Sequence, residues 1–543
     1  MIDKNKTYKC DIHDLSVNGD GITKIDGYTL FVKGAVPGDT VILKPTKLNK
    51  NYGFAKVVNT LSPSPYRRKS ICNSFPDCGG CSLLNMSYTS QLDFKSRFVL
   101  SNIYKIGNIK PHEFIYEGII GAQNEYYYRN KAQFPVRNST SNPVCGFYKP
   151  KTHSVINCQQ CHIQNTVINS AVNEVMNFIK KNNISAYDEE KHTGIVRHIY
   201  VRYSEENKNL MVVLVTNSYK PLKNTDALVN SLLPYGLKCL VQNINTKRTN
   251  VILGDKNISL YGEGYIYMNC DDLTFKVSPH SFFQVNTPQM KKLYQKVMEY
   301  ANLSGNETVF DLYCGVGSIS LFLASKAKKV IGVEIVEKAI ENAKENAELN
   351  GIDNAYFYSG DCAEVVQRLI SKGENADVVV VDPPRKGCSE ELLSFLNNIS
   401  PQKIVYVSCN SATLARDVKI LDGYGYKLDR VCAVDMFPQS GHIETCVLLS
   451  KLKSSKSVSI ELDLDDLEIT AAEAKATYGE IKEYILNKYG FKVSSLNIAQ
   501  VKQECGIIER ENFNKPSGKY RQPKCLEHKF KTIKETLEHF KMI

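Results

Sequence analysis

No stretch of this 543-residue sequence approaches the roughly 18 apolar residues that a membrane span requires, and no apolar run follows the charged start MIDKNKTYKC. Neither a membrane span nor a secretory leader is expected, and the expected setting is the cytoplasm. Those absences change the meaning of the 17 cysteines. In a small secreted protein they would suggest a disulfide framework. In a long chain without a leader they point to reduced thiols, metal ligands or a nucleophile. Internal repeats are lacking too. What is present is an ordinary apolar share, 43%, spread along the whole length, which excludes wholesale disorder. A single core usually serves roughly 100 to 200 residues, so three or four domains are expected. Lysine and arginine total 68 against 57 acidic residues, and the net charge of +11 suits a polyanionic partner such as nucleic acid.

Residues 1–62 read as short strands separated by glycine and proline turns, the pattern of a small closed β-barrel. Tyr28, Phe31, Tyr52 and Phe54 either fill that barrel or offer stacking from its surface, beside nine lysines. After the boundary SPSPYRRKS, residues 63–275 read as one α+β domain that opens with a cysteine-rich stretch and includes the strand-like LMVVLVTNS and CLVQNIN. Residues 276–452 alternate short apolar strands (ETVFDLYCG, KKVIGVEI, NAYFYSG, ADVVVVDPP, KIVYVSCN) with helical segments. The fold class expected there is α/β, a doubly wound, Rossmann-like parallel sheet. An acidic linker, 453–470, leads to residues 471–543, which read as three amphipathic helices. This last module holds 14 basic and nine acidic side chains, and NKPSGKYRQPK places Lys515, Lys519, Tyr520, Arg521 and Lys524 together. A nucleic-acid or protein docking module and a structural appendage both fit.

In DLYCGVGS, residues 311–318, an acidic residue ends a strand and two glycines let the backbone pass close to a ligand before a helix begins. Glu334 ends the next strand, where a carboxylate accepts hydrogen bonds from both hydroxyls of a ribose. The third glycine of a dinucleotide fingerprint is missing, because position 320 is serine. A pyrophosphate therefore has no site, and S-adenosylmethionine, a nucleoside without phosphates, fits.

The other polar signals also fall at strand ends, where doubly wound sheets bind their ligands. Asp382 opens DPPRKGC after four valines, and Cys409 opens CNSATLARD after YVS. Enzymes that methylate amino groups place an aromatic residue after D-P-P, and here Arg385 stands in that position, which disfavours exocyclic nitrogen chemistry. A cysteine there suits nucleophilic catalysis, and the helix start that follows it is expected to lower its pKa. Glu444, in DMFPQSGHIETCVLL, is the candidate base.

Five ordered motifs, FQVN at 283–286, DLYCGVGS, DPPRKGC, YVSCNSATLARD and DMFPQSGHIETCVLL, together resemble the RNA 5-methyluridine methyltransferase family. The resemblance covers about residues 1–450, with GDGITKIDGYTLFVKGAVPGDTV similar to a TRAM domain, an RNA-binding barrel of the oligonucleotide-binding type. It implies methylation at C5 of a uridine. Carbon 5 of uracil is too weak a nucleophile to take a methyl group unaided, so a thiol must first add at C6. The resemblance makes Cys409 that nucleophile, Glu444 the base that removes the C5 proton, and Gln284, Tyr313, Glu334 and Asp382 the cofactor contacts. Ser318 stands where some members have asparagine.

Cys72, Cys78 and Cys81 form C-x5-C-G-G-C, and HSVINCQQCHIQ adds Cys158 or Cys161. Four thiolates suit a [4Fe-4S] cluster or structural zinc, and the single knuckle with a long x5 gap favours iron-sulfur. The resemblance also favours the cluster, names Cys161 as the fourth ligand and leaves Cys158 a bystander. It tilts the substrate toward 23S ribosomal RNA over transfer RNA, since the transfer-RNA branch generally lacks barrel and cluster. A monomer is expected. The alternatives are cytosine C5 methylation and a non-catalytic RNA-binding iron-sulfur scaffold, which the presence of both Cys409 and Glu444 disfavours.

Overall fold

The computed structural model describes residues 2–139, 142–452, 478–505, 526–540 and 542. They form two compact units, Met1–Lys453 and Ser454–Ile543. Among the described residues no helix is long and apolar enough to cross a membrane.

The principal sheet of the larger unit has eight strands in the order Ala355–Ser359, Lys329–Glu334, Thr308–Leu312, Val378–Val381, Lys403–Ser408, Glu444–Lys451, Tyr426–Val434 and Ile115–Ile120. The first five are parallel to one another, and Glu444–Lys451 runs antiparallel to both its neighbours. Helices cover both faces. Val309, Val378, Val380, Val405 and Val407 face one core, while Phe310, Leu312, Val379, Val381 and Ile404 face the other. A strand buried on both sides needs no polar alternation, which is why Val378–Val381 is an unbroken apolar run with all four residues buried. The strand order reverses direction at Thr308–Leu312, opening a crevice at the carboxyl ends of the strands. This is the doubly wound α/β sheet expected for this region.

One part of the sequence reading is redrawn. Residues 88–120, read as part of a central domain spanning 63–275, join the principal sheet instead. Helix Tyr88–Lys105 buries Val99 and Ile103 in the core beneath helix Ser411–Gly423. Strand Ile115–Ile120 pairs in parallel with Tyr426–Val434. Periodicity is a local signal, and it carries no information about a partner strand some 300 residues away.

The rest of that region is a seven-stranded mixed sheet, Val155–Asn157, Asn142–Tyr148, Lys131–Ser139, Val196–Ser204, Asn209–Thr216, Leu237–Ile244 and Lys256–Tyr261. Helix Thr166–Lys181 lays Ile168, Ala171, Val172, Val175 and Ile179 against it at helical spacing. The N-terminal six-stranded barrel sheet turns Leu30, Val32, Val41, Leu43 and Ala55 inward around Ile12. In the smaller unit, helices Tyr478–Tyr489, Ser495–Glu504 and Glu527–His539 enclose Ile481, Ile485, Ile498, Val501, Ile533 and Leu537. The acidic linker 453–470 and the segment 514–524, with Lys515, Lys519, Tyr520, Arg521 and Lys524, lie outside the described residues.

Candidate active site

Strand register brings the two proposed reactive side chains together. Ser408 pairs with Thr445 across an antiparallel ladder. Cys409 follows Ser408 and Glu444 precedes Thr445, so the two flank the last rung of the ladder, near enough for the Glu444 carboxylate to act on the Cys409 thiol. Both line a cavity of about 690 Å3, together with Gln284, Asp382, Arg385 and His442. Burial pushes the Glu444 carboxyl well above the usual carboxylate range; Asp382 adds to the rise and Arg385 opposes it. Asp382 itself is pushed up to about 7 by burial. The Cys409 thiol is also pushed up, by burial first and then by Glu444 and Asp382, against Arg385. The helix start was expected to lower it. Desolvation and two carboxylates outweigh a dipole end whose effect is about 1 kcal/mol.

Two buried devices hold these strand ends, and neither was singled out in the sequence. Asp417, wholly buried, accepts hydrogen bonds from the Cys388 amide at 2.9 Å, the Tyr406 hydroxyl at 2.6 Å and Arg416 Nε at 2.8 Å. It thereby fixes the turn after Asp382. Asn410 and Thr413 add donors to the Arg385 carbonyl at 3.1 and 3.3 Å. The second device holds the segment leading into Glu444. The Lys95 ammonium and the Asp435 carboxylate, both fully buried, pair at 2.6 Å, and Tyr88 donates to the same carboxylate at 2.9 Å. Gln439, in the left-handed region at φ 69°, accepts from Arg68 and Gln91 and donates to Glu125, while its carbonyl accepts from the Ser82 and Leu83 amides. Gly441 passes so close to Val17 that a Cβ would lie 2.1 Å from its carbonyl oxygen. A lysine and a glutamine with no solvent to face were the available signal, but burial is invisible in a single sequence.

The cofactor candidates gather at neighbouring strand ends. Tyr313 follows strand Thr308–Leu312 with φ 65°, and Gly315 and Gly317 follow at 56° and 79°. A Cβ on Gly315 would meet nothing within 4 Å, so the turn borders open space. Glu334 accepts from the Gly315 amide at 3.3 Å and the Val336 amide at 3.0 Å. Asp311 is fully buried, with Oδ1 lacking any partner among the described residues. Its carboxyl is pushed up to about 7 by burial and by Asp382 and Glu334. Three convergent carboxylates and an orphaned oxygen fit a ligand bearing hydroxyls and positive charge. Gln284 and Asp382 line the cavity; Tyr313 and Glu334 do not.

The same cavity reaches the cysteines: Cys72, Cys78 and Cys81 line it from one segment, Cys158 and Cys161 from another. Cys158 is not remote, since it lines the cavity with Cys161. Its influence, with the Ile163 and Gln164 amides, pulls the Cys161 thiol down to about 7 despite burial. Among the described residues no group of three or more His, Cys, Asp or Glu side chains is arranged to hold a single metal ion.

Residues 87–452 match the family model for tRNA (Uracil-5-)-methyltransferase, and residues 4–58 match the TRAM domain. Relatives described as uncharacterized RNA methyltransferases occur in Bacillus cereus, 44% identical over 454 residues covering 83% of this chain and 98% of the relative, and in Clostridium tetani, 44% identical over 451 residues covering 83% and 97%. Among solved structures, Pyrococcus abyssi tRNA (uracil-54, C5)-methyltransferase in complex with S-adenosyl-L-homocysteine superposes with a TM-score of 0.66 at 27% identity, covering 81% of this chain and all of that one.

Proposed function

Since the chain belongs to the tRNA (uracil-5-)-methyltransferase family and is an S-adenosylmethionine-dependent RNA uracil-C5 methyltransferase, we propose that it methylates one or more uridines of 23S ribosomal RNA with Cys409 as nucleophile and Glu444 as base. The observation that supports this assignment of roles is that a thiol and a buried carboxylate, flanking the last paired residues Ser408 and Thr445, line one cavity.

The Cys409 sulfur bonds to C6, and the π electrons of C5=C6 move toward C5 and O4. Bound S-adenosylmethionine would supply an electrophilic methyl group to C5, its S–CH3 bond breaking to leave neutral S-adenosylhomocysteine. Glu444 then removes the C5 proton, the released pair re-forms C5=C6, and the C6–S bond breaks to return the thiolate. A carboxylate whose pKa is raised by burial is a stronger base once ionised than a solvated one. Asp311, Glu334 and Asp382 would hold the cofactor's hydroxyls and positive charge, with Gln284 and Tyr313 beside them. Four thiols on two segments fit a [4Fe-4S] cluster, and Cys72, Cys78, Cys81 and Cys161 would hold it.

The barrel and the cysteine set support ribosomal RNA as the substrate. Transfer RNA is the second reading, favoured by the match along the whole of the Pyrococcus abyssi chain. Mapping 5-methyluridine in ribosomal and transfer RNA from a deletion strain separates them. Loss from 23S ribosomal RNA is the expected result, loss from transfer RNA alone selects the second reading, and loss from neither overturns both.

A further inference from the structure

The catalytic cavity is lined by Cys72, Cys78, Cys81, Cys158, Cys161 and Cys409. Cys409 is taken by the uracil and four of the others by a cluster, which leaves Cys158 without a task. Its surroundings give it one. Between Cys158 and Cys161 stand Gln159 and Gln160, both exposed, while the two cysteines are 8% and 9% exposed. A turn that sends its two central residues outward brings the flanking pair back to one side, and the two cysteines pack in one small cluster with Ile163.

Both ends of that turn are fixed. The Cys158 amide donates to the Cys145 carbonyl at 2.9 Å, which ties it to strand Asn142–Tyr148. The Cys161 amide donates to Asn169 Oδ1 and its carbonyl accepts from Asn169 Nδ2, both at 3.0 Å, which ties it to helix Thr166–Lys181. The strongest influence on either thiol comes from the other. Two sulfurs at the ends of a short, anchored turn lose little freedom when they join, whereas Cys72, Cys78 and Cys81 approach from a separate segment. A cavity of about 690 Å3 reaches both sulfurs, so a small oxidant has access to them.

We propose that Cys158 is the resolving thiol of Cys161: once the cluster is lost, peroxide joins the two sulfurs in a disulfide that spares the fourth ligand from irreversible oxidation and can be reduced again. The Cys161 sulfur attacks one oxygen of hydrogen peroxide and the O–O bond breaks, leaving a sulfenic acid and one water. The Cys158 sulfur then attacks the sulfenic sulfur, the S–OH bond breaks, and a second water leaves. The two thiols give up two electrons and two protons, and one peroxide becomes two waters. Without a resolving partner a sulfenic acid goes on to sulfinic and sulfonic acids, which thiol reductants do not restore. The inference rests on the reading that Cys161 is a cluster ligand.

Trypsin cuts after Lys151 and Lys180 and nowhere between, and Cys158 and Cys161 are the only cysteines in that peptide. Protein purified anaerobically with its iron is treated with hydrogen peroxide, alkylated and digested. The peptide should resist alkylation and weigh two hydrogens less than its reduced form, and after dithiothreitol it should take an alkyl group on each cysteine. Iron and sulfide added to the reduced protein should then restore its iron content. In Cys158→Ser and Cys158→Ala the same treatment should leave Cys161 as sulfinic or sulfonic acid, with iron no longer restored. Free thiols at both positions after peroxide would overturn the proposal. So would a bond from Cys161 to a peptide carrying Cys72, Cys78 or Cys81, or full recovery of iron in the Cys158 variants. Iron content before peroxide scores the cluster and peptide mass scores the disulfide, so the two readings fail separately.

Discussion

Cys409 and Cys161 line the same cavity and are treated oppositely by their surroundings. Around Cys161, Cys158 and the Ile163 and Gln164 amides bring the sulfur down to about 7 although it is buried. Around Cys409 it supplies carboxylates, and the sulfur is pushed up. Burial is common to both. What differs at these two positions is the sign of the partners; the Cys78 and Cys81 thiols near Cys161 are pushed up by burial, as Cys409 is. A nucleophile that must also leave again gains from being a thiolate only while substrate and cofactor are bound.

The contrast can be broken by substitution. The largest effect is expected for Cys409→Ala, which should abolish methyl transfer while cofactor affinity, measured by calorimetry, stays within about twofold, since the thiol forms the C6 bond and does not hold the nucleoside. Next is Glu444→Gln. Addition and methylation should proceed but elimination stall, leaving a protein–RNA adduct that survives denaturing electrophoresis. Free RNA with normal turnover would reject Glu444 as the base. The same variant sharpens the comparison, because removing a carboxylate that raises the Cys409 pKa should move the alkylation profile of that thiol to lower pH. In the unsubstituted enzyme both Cys409 and Glu444 must be ionised and both are raised, so kcat/KM should climb with pH through neutrality.

At the cluster, Cys161→Ser should eliminate most bound iron from anaerobically purified protein and Cys158→Ser should retain it, about four irons per chain in the latter. Stoichiometric zinc without iron would refute the cluster, and the reverse pattern would exchange the two cysteines. The smallest effect is expected of Asp417→Asn, which keeps the shape but weakens three hydrogen bonds. A loss of about 2 kcal/mol in unfolding free energy should appear in denaturant titration, with Cys409 still able to form its adduct.

Much of this arrangement was readable beforehand because it follows from local pattern. The run Val378–Val381 announced a strand buried on both faces, and Asp382 and Cys409 fell at strand ends because the apolar residues stop there. Residues whose roles depend on partners distant in sequence were not readable. Lys95 looks like any helical lysine until Asp435 is found against it, and Gln439 shows its importance only through Arg68, Gln91 and Glu125. The direction of the Cys409 shift was missed for the same reason, since Glu444 and Asp382 arrive from other strands.

The edge strand Ile115–Ile120 has a consequence for synthesis. Its neighbour Tyr426–Val434 is made long afterwards, with Glu117 and Arg430 bridged across 313 residues. At about 5–20 residues per second, a ribosome needs roughly 15–60 s to deliver the partner. During that interval the nascent segment carries an unpaired strand, IYEGII, and the last strands of the catalytic sheet emerge into a template already waiting for them. A gene fragment beginning at residue 276 would lack that template, and its product would expose a bare sheet edge that invites self-association.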